Sequence, residues 1–273
     1  MHQMWADVTK WQETLVHDKS MAAFAKSRAL AVVYLSNKLE GTLAKGTSEQ
    51  ETYALLDELW EQPSPLALES PAIVLWHSEG QHSSERSLYQ LQQHLLALRH
   101  LQGALDQPLS VELVCETHRI LMKGALSDET TAPIRAGRFR QHHCCAGKYS
   151  FPEAGTISAS LSKIIEQFNE RFATRKLAPY RLAAWLFVQV ITLHPFENGN
   201  GRLCRLLASY VFQKCGVPFP VVITSGHSRA YKHYIDAIVA YQTRGQGLDE
   251  LCLYMLTSLH QSWSIFAATL NHS

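Results

Sequence analysis

The stretch His194-Pro195-Phe196-Glu197-Asn198-Gly199-Asn200-Gly201-Arg202-Leu203-Cys204-Arg205 constrains this chain most, because helical patterning stops on one side of it and restarts on the other. Residues 180–193 read as an apolar helix, and Pro195 cannot continue it, so His194 falls at a helix end. From Gly201 onward, Leu203, Leu206, Leu207, Tyr210 and Val211 recur at helical spacing and start a second helix near the glycines. The amides of Gly199, Asn200 and Gly201 then face outward at a helix N-terminus. Backbone donors and the positive end of the helix dipole favour an anion there. Arg202 and Arg205, three residues apart, emerge on one side of the first turn. Two cations beside an anion nest predict a polyphosphate ligand. An imidazole a few residues away is the side chain best suited to take up a proton near neutral pH. The reaction class that unites these parts is attack of a hydroxyl on phosphorus.

The same string resembles the signature of Fic (Fido-fold) proteins: His-Pro-Phe, one free residue, an acid, Gly-Asn-Gly-Arg, two free residues and Arg. Every fixed position matches except the acid, which here is Asn198. The likeness extends over residues 113–263 and includes Ala136-Gly137-Arg138-Phe139-Arg140, where the family leads into its substrate-binding flap. It implies an all-α Fido-fold bundle with a short β-hairpin flap. The implied reaction moves AMP from ATP onto a Ser, Thr or Tyr hydroxyl of a protein. His194 would be the general base, Asn200 with the Gly199 and Gly201 amides would hold the α-phosphate, Arg202 the β-phosphate and Arg205 the γ-phosphate. Phe196 would anchor the loop. The family's acid helps bind a magnesium ion, so Asn198, a neutral amide, would weaken retention of Mg²⁺ or Mn²⁺. Better-known AMP transferases set an aromatic and an Asn where Lys232 and Val239 align here, so adenine loses a stacking face and a hydrogen-bond partner. Tyr231 is the remaining candidate to stack on the base. Transfer of UMP, GMP or another phosphate-linked group therefore stays open, as does a catalytically impaired nucleotide-binding or scaffold protein.

A second element lies far upstream at Ser36-Asn37-Lys38-Leu39-Glu40-Gly41. Residues 21–35 have helical spacing and Gly41 is a natural stop, so Glu40 sits near a helix C-terminus, where a carboxylate is by itself unremarkable. Ser, three free residues and Glu-Gly are similar to the family's N-terminal inhibitory helix. That resemblance implies that Glu40 pairs with Arg205 and denies ATP its γ-phosphate contact. It also leaves room for a reverse activity in which Glu40 orients a water that removes AMP from a modified target.

With 273 residues and 46% hydrophobic content, the chain can bury a substantial core. A net charge of +1 without a basic tract argues against nucleic-acid binding. Arg181 and Gln189 interrupt the longest apolar stretch, residues 177–193, which excludes a lipid-exposed span. The N-terminus lacks the pattern of a signal peptide, and six cysteines show no paired framework, so a cytoplasmic location is expected. His142, His143, Cys144 and Cys145 alternate faces in a strand and would not converge on zinc. Instead, residues 140–151, with Gly147 in the turn, read as a hairpin whose edge can pair with a target peptide. Helices are expected near 19–38, 48–61, 83–105, 110–123, 156–174, 179–193, 201–215, 227–243 and 247–268. They form an N-terminal helical region, 1–105, and a core, 106–273, that pack as one unit. Whether two copies form a homodimer is left open.

Overall fold

The computed structural model describes residues 1–44, 46–61, 84–125, 134–223 and 228–271; the side chains of 84–85 and 228–231 also lie outside that description. The expected loop at 126–133 and the proline breaks at 63–65 and 70–71 fall outside the described residues. The helices are α1 (His2–Leu15), α2 (Met21–Leu39), α3 (Glu49–Glu61), α4 (Ser84–Gln102), α5 (Val111–Leu121), α6 (Ile157–Thr174), α7 (Pro179–Leu193), α8 (Asn200–Lys214), α9 (Ser228–Arg244) and α10 (Leu248–Leu270). Between α5 and α6, β1 (Cys145–Ala146) and β2 (Tyr149–Ser150) pair antiparallel, with Cys145 opposite Ser150. The fold is all-α with a small hairpin, as the sequence predicts.

Helix α8 is the centre of the bundle. It packs against α7, α4, α2 and α5, and Leu203, Leu206, Leu207, Val211 and Phe212 are fully buried around it. A helix buried on nearly every side is driven into place by burial of its apolar residues, and the polar ones it carries inward must find partners. One contiguous core runs from Val8 to Phe266, so α1 to α4 and the later helices share the same apolar interior.

Helix α1 is absent from the sequence-based reading and is the main addition. It packs on α10, burying Val8 completely while Met4, Trp5, Trp11 and Leu15 are partly covered. Those five positions do follow a helical stripe, but polar residues dilute it.

Candidate active site

Two helix ends meet at the signature loop. α7 closes at His194, which takes the left-handed conformation (φ 50°, ψ 61°), and its N–H still donates to the Val190 carbonyl at 3.0 Å. A non-glycine residue there is held by its surroundings rather than by its own preference. α8 begins after Gly199, whose φ is 76°. A Cβ at Gly199 would also lie 2.5 Å from Met122 Sδ, so both backbone and packing demand glycine.

The loop between them is fastened from inside. The Asn200 side chain accepts from the Phe196 N–H at 3.1 Å and donates to the Phe196 carbonyl at 2.8 Å. Its amide is thus turned toward the loop, and what remains at the helix N-terminus is its backbone N–H. Phe196 is fully buried and stacks on His118 at 3.7 Å between ring centroids, the rings tilted by 6°.

His118, on α5, spans the loop and the flap root. Its Nδ1 accepts from the Gly137 N–H and its Nε2 donates to the Asn198 carbonyl, both at 2.9 Å. One partner can only donate and the other only accept, so the neutral Nε2–H tautomer is fixed. Burial pushes its pKa down to about 4 against the favourable Asn198 carbonyl, and the Arg202 charge adds to the lowering. The sequence reading missed His118, because nothing local marks a histidine within a helix as a strut.

The His194 ring stacks on Phe151 of the flap at 4.0 Å. Its Nδ1 is shut away from solvent without a well-formed hydrogen bond. Burial holds its pKa down to about 4, opposed by the Ile191 carbonyl and assisted by the Arg140 charge. The ring is therefore neutral at pH 7 and able to accept a proton.

Arg202 and Arg205 both lie inward, at 5% and 4% exposure. Arg205 Nε donates to Ser36 Oγ at 2.8 Å, and its Nη2 contacts the Ser36 carbonyl at 3.5 Å and pairs with Glu40 Oε1. Burial works against its charge, but the Tyr234 hydroxyl and the Glu40 carboxylate outweigh it and keep the guanidinium protonated. A Cβ at Gly201 would lie 2.9 Å from Glu40 Oε1. The carboxylate therefore rests against the first turn of α8, in the position of an anion at a helix N-terminus.

Glu40 is delivered there by the end of α2. Gly41 adopts φ 64°, its N–H donates to the Lys38 carbonyl, and the Thr42 N–H donates to the Asn37 carbonyl. These two bonds form a Schellman ending. Asn37 Nδ2 donates to the Val33 carbonyl at 2.8 Å and to His94 Nδ1 at 3.0 Å, while Thr42 Oγ1 donates to Asn37 Oδ1 at 2.9 Å. Ser36 and Glu40, four apart on one helix face, both reach Arg205 across 165 or more residues of chain.

Two expected contributors stand differently. Asn198 Oδ1 accepts from the Gly199 N–H at 2.6 Å, and Glu197 is exposed. Among the described residues, no three His, Cys, Asp or Glu converge to hold a metal. A neutral amide oxygen already engaged with its own loop does not make a metal site by itself. Tyr231 lies in the first turn of α9, but its side chain is outside the described residues; Lys232 and Val239 are exposed.

A helical bundle that buries two arginines near the start of α8, seats a carboxylate there and stacks a hairpin residue on His194 is built around an anion-seating helix N-terminus. Comparison with known proteins narrows this class. The Fic/DOC family profile matches residues 108–212. A Fido domain-containing protein of Dictyostelium discoideum is 31% identical over 137 residues, covering 50% of this chain and 95% of that protein. The chain belongs to the Fic/DOC family. The protein adenylyltransferase Fic of Drosophila willistoni is 28% identical over 142 residues, 51% of this chain but only 27% of that protein. Fic-1 from C. elegans superposes with a TM-score of 0.74 at 19% identity, covering 99% of this chain and 73% of that one. A Fic domain-containing signaling protein from Bacteroides thetaiotaomicron gives 0.69 at 19% identity, with 96% and 93% coverage. At such identities these superpositions establish the Fido fold.

Proposed function

We propose that this chain transfers AMP from ATP to a Ser, Thr or Tyr hydroxyl of a protein, and that Glu40 holds the reaction off. The observation that carries the reading is the seat of the Glu40 carboxylate, paired with Arg205 and pressed against Gly201. A guanidinium and a helix N-terminus that together seat a carboxylate also suit a phosphate. The naming of the Drosophila relatives as protein adenylyltransferases agrees with it.

In this reaction His194 Nε2 takes the proton of the target hydroxyl while its oxygen bonds to the α-phosphorus. The bond from that phosphorus to the bridging oxygen breaks, and pyrophosphate leaves. The Gly199 N–H is taken by Asn198 Oδ1, so the backbone amides of Asn200 and Gly201 hold the α-phosphate, and Arg202 and Arg205 hold the β- and γ-phosphates. The target backbone pairs with the edge of the hairpin, whose Gly147 turn (φ 58°) leaves both strands short and exposed. A carboxylate at residue 40 can also orient a water against phosphorus, so removal of AMP from a modified target belongs to the same proposal. Residues 1–105 act in it as the regulatory region and 106–273 as the core.

A metal, Mg²⁺ or Mn²⁺, would enter on the triphosphate and meet only the Asn198 amide from the protein. Restoring a charged ligand is therefore expected to help. Asn198→Asp, in protein also carrying Glu40→Gly, should reach half-maximal labelling at several-fold lower metal concentration. An unchanged metal titration would remove residue 198 from metal binding. The exposed Lys232 and Val239 give the adenine ring no aromatic face, which favours testing other nucleobases. The decisive experiment is incubation of Glu40→Gly protein with nucleotides labelled at the α- or γ-phosphate. Protein-bound α-label without γ-label, strongest from ATP, is expected. Strongest label from UTP or GTP would redirect the reading to their monophosphates, and none under any metal would leave a nucleotide-binding scaffold. Among the described residues no helix is long and apolar enough to cross a membrane. All six cysteines are free.

A further inference from the structure

Arg140 is a buried cation whose three guanidinium nitrogens all donate to backbone carbonyls, and the reaction proposed above does not use it. It is 3% exposed. Its Nε donates to the His194 carbonyl at 2.7 Å, its Nη1 to the His142 carbonyl at 2.9 Å, and its Nη2 to the Pro152 carbonyl and, at 3.5 Å, to that of Leu193. Its own N–H donates to the Pro195 carbonyl at 2.9 Å. No carboxylate pairs with it among the described residues; its charge is met by backbone carbonyls, two of them at the C-terminus of α7.

These acceptors belong to two separate parts of the site. The carbonyls of residues 193–195 set the turn that carries the imidazole. His142 and Pro152 are the two feet of the hairpin, one entering and one leaving. A single guanidinium fork thus holds both feet of the flap to the peptide unit of His194, and Phe151 completes the join by stacking on the ring. The left-handed backbone at residue 194 turns its carbonyl out of the helix ladder, and Arg140 Nε supplies that carbonyl's hydrogen bond.

We propose that Arg140 is a positioning residue that fixes the imidazole of His194 and the flap as one rigid unit, setting the distance between a docked target hydroxyl and the base. This rests on the function proposed above for its catalytic consequence, but not for the mechanical coupling itself. Lysine cannot replace it, because a single ammonium lacks the planar fork that reaches both feet of the hairpin and the turn together.

Two measurements test the proposal, the first on the unaltered protein. Hydrogen exchange should show the amides of His194, Arg140 and Phe151 opening together with a common rate. Independent opening of the hairpin and the His194 turn would overturn it. The second compares Arg140→Lys with its parent in the Glu40→Gly background. Turnover is expected to fall about a hundredfold, as a displacement of about an ångström at the reacting centre produces, while KM for the nucleotide stays within about threefold because the α8 nest is untouched. Free guanidinium added to Arg140→Ala should restore part of the loss. A raised nucleotide KM with unchanged turnover would overturn the positioning role. If the Glu40→Gly parent transfers nothing, the proposed function fails instead, and the exchange result still decides whether Arg140 couples flap and base.

Discussion

Glu40→Gly protein is expected to label itself or a target with the α-phosphate of ATP at least about tenfold faster than the wild type, a difference of about 1.4 kcal/mol or more. In the wild type, the carboxylate occupies one face of Arg205 and the space over Gly201. A triphosphate must either displace it or bind with its terminal phosphate misplaced, next to a like charge. Either way the α-phosphorus is not presented in line to the hydroxyl. Removing the carboxylate frees the cation without dismantling its support, because Ser36 Oγ still accepts from Arg205 Nε at 2.8 Å. A glycine at 40, just before Gly41, leaves the Schellman bonds in place, because they are made by backbone groups. A second readout separates relief of inhibition from general loosening. Without nucleotide the variant should melt lower, since the buried guanidinium has lost its charge partner. ATP should then raise its Tm more than it raises that of the wild type, because the triphosphate takes the vacated place. A variant that binds ATP as the wild type does and shows no gain in labelling would remove Glu40 from control of the site.

How much of this was legible beforehand differs from residue to residue. The helix-break-helix frame around residues 194–201 follows from Pro195, the glycines and apolar spacing, and the structure reproduces it within a residue. Those signals are local, so a sequence carries them. Gly41 was readable for the same reason. The meeting of Glu40 with Arg205 was different: no pattern in α2 or α8 announces a contact between residues 165 apart, and only the family resemblance suggested it. His118 escaped both routes, and the resemblance marked Arg140 only as part of the stretch leading into the flap. Their importance comes from which carbonyls and amides surround them after folding, and neither neighbouring sequence nor spacing encodes that. Three-residue spacing gives Arg202 and Arg205 a shared helix face, but their burial depends on what packs against that face. Helix α1 was legible in principle through Met4, Val8, Trp11 and Leu15, a stripe thinned by polar neighbours.

Replacing His194 with alanine in the Glu40→Gly background is expected to reduce transfer by roughly 10²- to 10⁴-fold, the range that a positioned general base contributes. Nucleotide binding should persist, because the α8 amides and both arginines belong to other residues. The pH dependence supplies an independent check. Burial keeps the His194 imidazole neutral down to about 4, so kcat/KM, which reports the free protein, should hold across neutral pH and fall only as acid approaches that value. A bound triphosphate sets negative charge near the ring and favours its protonated form, so the acid limb of kcat should lie at higher pH than that of kcat/KM. The same group leaves a mark on folding. Its folded pKa is depressed below the unfolded value near 6.5, so between that pH and about 4 the unfolded chain binds more protons. The contribution to stability is complete above the unfolded value and is lost as pH falls through the folded one. Wild-type protein should therefore lose more Tm on acidification from pH 7 to 4 than His194→Ala does. His118, lowered for the same reason, remains in both and keeps some acid sensitivity in the variant. Transfer that survives His194→Ala would assign proton removal to another group, and equal acid sensitivity of the two proteins would mean that the ring at 194 is not held neutral by burial.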